Sequence, residues 1–158
     1  MKKISTKLTV EFVPSSSHYK NVRSNVKKKE WDKIRRQVYK EAGYKCEICG
    51  GVGKRHPVEC HEVFEYNDTK GIQKLVRFEA LCNLCHMVKH FGRSEMIGKR
   101  KVALYHLIKV NGWTEADAEL YLEAMAEQWI ARSQLLKWEL DLCLLKEYNI
   151  DVDKESGD

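Results

Sequence analysis

At 158 residues with 43% hydrophobic side chains, the chain has the size of one domain with a modest core. Charged residues make up 32% and interrupt every apolar stretch, so no run approaches the roughly 18 residues of a membrane helix, and the basic start Met1-Lys2-Lys3 lacks the pattern of a secretory leader. A cytoplasmic protein with no membrane partner is the expectation, and its net charge of +5 conceals a division: residues 114–158 carry twelve acids against Arg132, Lys137, Lys146 and Lys154, a balance of −8 that leaves +13 on residues 1–113.

Leu8-Thr9-Val10-Glu11-Phe12 alternates apolar and polar residues and predicts a short strand, ended by Pro14 and a serine run. Trp31, Ile34, Val38 and Ala42 recur at helical spacing, which predicts a helix over 28–42 with Gly43 as its stop. The surrounding segment 19–45 has a balance of +7, and its Lys27, Lys28, Lys29, Arg35 and Arg36 are the leading candidates for phosphate contact. A solvated lysine-rich surface is the plainer reading of the same charges.

Residues 58–64 and 72–81 read as two strands of a hairpin around the turn-forming 66–71. A further helix is expected from Ser94 to Val110, closed by Asn111-Gly112, and another from Thr114 to about 132, with Thr114 and Asp117 spaced as a capping box. Leu136, Trp138, Leu140 and Leu142 alternate with polar residues and predict a last strand, a candidate partner for the N-terminal one. The acidic 151–158 is expected to fray as a disordered tail. The fold class is thus α+β: one domain over 1–150, with a core at 44–92, an N-terminal strand and basic helix at 7–43, and C-terminal helices and a strand at 94–150.

Four of the six cysteines form two Cys-x-x-Cys pairs, Cys46/Cys49 and Cys82/Cys85. Such turns bring two thiolates to one ion, so a structural Zn2+ held by all four is expected, with the hairpin lying between the pairs. Cys143 stands alone and reads as an ordinary thiol. His86 follows Cys85 directly, and His90 lies one helical turn on, so both imidazoles share a helix face; His61 on the first strand should be drawn toward them.

Cys46-Glu47-Ile48-Cys49-Gly50, Glu59-Cys60-His61 and Leu81-Cys82-Asn83-Leu84-Cys85-His86 together resemble the zinc-containing HNH nuclease family over residues 46–90. The resemblance implies a ββα-metal (treble-clef-like) finger that hydrolyses phosphodiester bonds in nucleic acid. By position it makes His61 the general base and His86 and His90 the helix ligands of a second divalent cation, Mg2+, Mn2+, Ni2+ or Zn2+. Their spacing is similar to that of the colicin-type nucleases. Cys60 stands where the family normally has a strand Asp or His ligand. Glu59, Cys60 or Glu62 is therefore the strand donor, and a sulfur donor turns the preference from magnesium toward zinc, nickel or cobalt. Arg77 occupies the place of the family's middle asparagine and would grip phosphate instead.

Under this reading Lys89, Arg93, Lys99, Arg100 and Lys101 join the basic helix in holding the nucleic acid backbone, DNA in preference to RNA. The contrasting reading is a noncatalytic zinc module that binds nucleic acid or a protein partner. A third possibility is a homodimer through the helix 114–132, whose Leu120, Tyr121 and Trp129 would form an exposed stripe.

Overall fold

The computed structural model describes residues 6–17, 21–135 and 137–151. The expected tail beyond Asp151, Leu136 of the last expected strand and the basic Met1–Lys3 lie outside the described residues. A three-stranded sheet orders the molecule: β1 (Glu59–Asn67) and β2 (Ile72–Leu81) form an antiparallel hairpin, and β3 (Glu139–Asp141) adds to the other edge of β2. Among the described residues five α-helices accompany it, α1 (Lys28–Glu41), α2 (Asn83–Lys89), α3 (Phe91–Met96), α4 (Arg100–Asn111) and α5 (Glu115–Ser133). The class is mixed α+β, and among the described residues no helix is long and apolar enough to cross a membrane.

Each sheet face carries its own apolar cluster. Ile34 and Val38 of α1 pack with Val58, Leu75, Phe78 and Ala80 on one side. On the other, Val88, Phe91, Ala103, Leu107, Ala118 and Leu122 of the later helices pack with Leu81 and with Leu8 and Val10. Helical spacing in the sequence selected Ile34 and Val38 because α1 buries a single stripe of an amphipathic helix. The capping box forms as expected: Thr114 N–H donates to Asp117 at 3.0 Å and Asp117 N–H to the Thr114 hydroxyl at 3.1 Å. Gly112 ends α4 in the left-handed conformation at φ 65°, a geometry that favours glycine.

Three expectations need correction. Residues 8–12 are not a sheet strand. Their alternation does bury Leu8 and Val10, but against helices: the Asn111 side-chain oxygen accepts the Lys7 and Leu8 N–H groups, the Tyr121 hydroxyl accepts that of Val10, and the Lys89 carbonyl accepts that of Glu11. The segment is a strap across α2, α4 and α5. The C-terminal strand is cut to three residues and pairs parallel with β2, not with the N-terminus. Beyond it, residues Cys143–Tyr148 tighten into a 3-10 turn that buries Leu145 three residues after Leu142. The helix expected from Ser94 breaks at Gly98, whose φ of 74° separates α3 from α4.

Of the stripe expected on α5, Tyr121 is half-buried and accepts the Val10 N–H, while Trp129, whose indole N–H donates to the Val13 carbonyl at 2.8 Å, stays partly exposed. Leu120 and Ile130 remain exposed. Because one amide side chain anchors the strap to α4, Asn111→Ala should destabilise the protein by about 1–3 kcal/mol in urea unfolding. Hydrogen exchange should show the Leu8 amide losing protection before those of β1.

Candidate metal centres and the cleft beside them

The Cys46–Cys49 knuckle follows α1 and is tied to the sheet by Glu47, whose N–H donates to the Ala80 carbonyl at 2.9 Å and whose carboxylate accepts the Ala80 N–H at 2.5 Å. The second knuckle is the end of β2 and the start of α2, with Cys82 capping the helix: its sulfur accepts the Cys85 N–H at 3.4 Å. All four sulfurs lie within 4.8 Å of one another, and those of Cys49 and Cys82 are 3.6 Å apart. A tetrahedral zinc with thiolate bonds of about 2.3 Å needs sulfurs roughly 3.8 Å apart, so the donor set fits one zinc ion. Backbone N–H groups of Cys49 and Gly51 point at the Cys46 and Cys49 sulfurs, the pattern that stabilises thiolates. Cys46 is pulled down to about 4 by the hydrogen bond it receives from Cys85, against the opposing effect of burial, while Cys85 is pushed up by the same bond. Buried His106 lies 3.2 Å from the Cys85 sulfur; burial lowers its pKa, so a neutral imidazole faces the sulfur.

A second cluster lies on the β1–α2 side. His61, His86 and His90 place one nitrogen each within 4.8 Å of the others, and their ring centroids are 4.8 to 5.3 Å apart. The one-turn spacing on α2 puts the Nε2 atoms of His86 and His90 3.1 Å apart, close to the roughly 3.3 Å between two imidazole nitrogens on a tetrahedral ion. Burial, followed by the neighbouring imidazoles His86 and His61, lowers His90 to about 4. It is therefore neutral at physiological pH, the form that can ligate a metal. Glu59 accepts from His86 Nδ1 at 2.6 Å, and that bond holds its carboxyl below the ordinary value despite burial. Such a carboxylate turns the remaining nitrogen of the ring toward the cluster.

Comparison with family models, with curated proteins and with solved structures finds no match.

A cleft of about 740 Å³ opens between α1 and α2, with His86 and His90 on one wall and Trp31, Arg35 and Tyr39 on the other. Arg23, Lys28 and Arg93 also line it. Of the residues proposed from sequence to contact phosphate, Lys27, Lys28, Lys29 and Arg36 are exposed on α1 or its cap, Arg35 is half-buried and bonded to Asp32 at 2.8 Å, and Lys99 is exposed before α4. Arg100 is held by both carboxylate oxygens of Glu119, at 3.0 and 3.1 Å. Lys89 requires correction as a surface contact: it is 5% exposed, with its ammonium 2.7 Å from the Thr9 hydroxyl and 3.4 Å from the Glu11 carboxylate.

Cys60 packs in the α1-side cluster with Tyr39 and Phe64, apart from the three imidazoles, because adjacent strand residues point to opposite faces. Burial, and then the charge of Glu62, push its thiol up to about 12, so it stays protonated at neutral pH. Glu62 is likewise turned away, accepting the Val22 N–H at 2.5 Å. Arg77 is exposed on β2, two cross-strand pairs from His61, and gives its guanidinium to Glu79 at 2.8 and 3.0 Å. It does not line the cleft.

Two participants escaped the sequence reading. His106 had no motif neighbour, its only signal being a place on the buried face of α4 with Ala103 and Leu107. Glu11, 2.5 Å from His61 Nε2, lies 50 residues from it in the chain, beyond any spacing rule. A structural ion at the sulfurs predicts that chelation, or Cys46→Ser, abolishes the near-UV circular dichroism and lowers Tm sharply. Zinc analysis of the purified wild type should return at least one ion per chain.

Proposed function

We propose that this chain is a metal-dependent endonuclease built on a ββα-metal finger, with β1, β2 and α2 as the finger and the four cysteines as its zinc scaffold. The observation that carries the proposal is the meeting of the buried strand imidazole of His61 with His86 and His90, the latter two lining a cleft whose far wall is the basic helix α1. Phosphodiester hydrolysis needs those components: a base for the attacking water, a seat for a divalent ion, and fixed cations for the backbone. His86 and His90 would hold the ion, which when bound supplies charge stabilisation at the phosphate and the departing oxygen. His61, fixed from below by its strand and 3% exposed, takes the proton from the attacking water. Arg23, Arg35 and Arg93 bind the flanking phosphates, while Lys27, Lys28 and Lys29 extend the contact along α1.

One observation favours the contrasting reading of a noncatalytic nucleic-acid-binding module. Cys60 and Glu62 lie outside the cluster of three imidazoles and Glu59 is bonded to His86 Nδ1, so among the described residues no strand thiol or carboxylate joins that cluster as a ligand. A cleavage assay separates the two. Supercoiled plasmid and structured RNA, incubated with magnesium, manganese, nickel or zinc, should be nicked by the wild type, DNA faster than RNA, and at least about 100-fold more slowly by His61→Ala. Binding without cleavage under every ion would select the module. Replacing Lys27, Lys28 and Lys29 together by alanine should weaken DNA binding regardless of sequence. It should also flatten the slope of log affinity against log salt by about 2 to 3.

A further inference from the structure

We infer that Glu11 is the positioning residue of His61: its carboxylate fixes the imidazole in the Nε2–H tautomer and leaves Nδ1 as the nitrogen that accepts a proton. The chemical half of this assignment rests on the nuclease reading above; the tautomer does not. Glu11 Oε2 is 2.5 Å from His61 Nε2. Burial pushes the Glu11 carboxyl up, but the His61 hydrogen bond and charge, together with Lys89, outweigh it, and the group stays below its ordinary value. An ionised carboxylate can only accept, so Nε2 must carry the hydrogen. The same device occurs once more in the cluster, where Glu59 occupies His86 Nδ1.

The surroundings of Glu11 are built to hold it there. Its backbone N–H donates to the Lys89 carbonyl at 2.9 Å, the residue before it is bonded to Tyr121, and the strap is pinned at either end by Asn111 and Trp129. Lys89 gives its buried ammonium to Glu11 Oε1 and Thr9, leaving Oε2 for His61. A carboxylate with one oxygen committed to a lysine and the other to an imidazole has little freedom to leave the ring. Loss of an orienting partner of this kind typically costs 10- to 100-fold in activity or affinity.

The test is nitrogen NMR of isotope-labelled histidine in the full zinc-loaded chain, paired with steady-state cleavage kinetics. Wild-type His61 should show the Nε2–H pattern alone. Glu11→Ala should show both tautomers and a kcat about 10- to 100-fold lower with KM within about twofold. Glu11→Gln, which keeps an acceptor, should restore most of both, and Lys89→Met should keep the wild-type tautomer. Should Glu11→Ala lose the wild-type near-UV signal, the Glu11→Ala/Lys89→Met double variant removes both charges of the pair and carries the comparison. An Nδ1–H pattern in the wild type, or an unchanged pattern and kcat in Glu11→Ala, overturns the assignment. A wild type with the Nε2–H pattern that cleaves neither DNA nor RNA upholds the tautomer and removes the nuclease reading.

Discussion

Four sulfurs gathered within 4.8 Å would repel one another as thiolates, and a metal ion such as zinc is what such a donor set could hold. The rest of the site is built out from that cluster. A sheet of three strands, one of them three residues long, cannot by itself fix a loop and a helix at its end. The cysteine pairs do so from both sides, the first clamped to Ala80 through Glu47 and the second forming the corner where β2 becomes α2. Once that corner is set, the direction of α2 is set, and with it the place of His86 and His90.

What could be read from the chain was whatever is encoded locally. The paired cysteines, the hairpin, the basic amphipathic helix and the capping box each depend on residues within a few positions of one another, and each is found where expected. The misreadings arise where partners are distant. Alternation in residues 8–12 signals that one side is buried but does not say against what, and helices rather than a strand supply the cover. Lysine counts the same in a charge balance whether exposed or buried, so no local pattern distinguishes Lys89 from its neighbours; the strap that crosses it does. The same holds for Cys60, whose face is decided by strand parity relative to a cleft that no local pattern locates.

Acids and bases divide the labour around the imidazoles. Glu11 and Glu59 are each hydrogen-bonded to a histidine of the cluster, so both carboxylates are engaged in orienting rings. Asp32 is similarly engaged, by Arg35 and Lys28. Arg23, Lys28, Arg35 and Arg93 line the cleft beside its two acids, Asp32 and Glu59.

The strap gives the site a composite ancestry within the chain. Residues 44–92 contain all four clustered cysteines and all three imidazoles, which makes them look like a self-sufficient unit for transplantation onto another scaffold. They lack Glu11, the Asn111 and Tyr121 anchors that hold it, the His106 that faces the Cys85 sulfur, and the α1 wall of the cleft. An excised segment would thus inherit the clustered side chains without their orientation. For this chain the portable unit is nearly the whole of it, from the strap through α5.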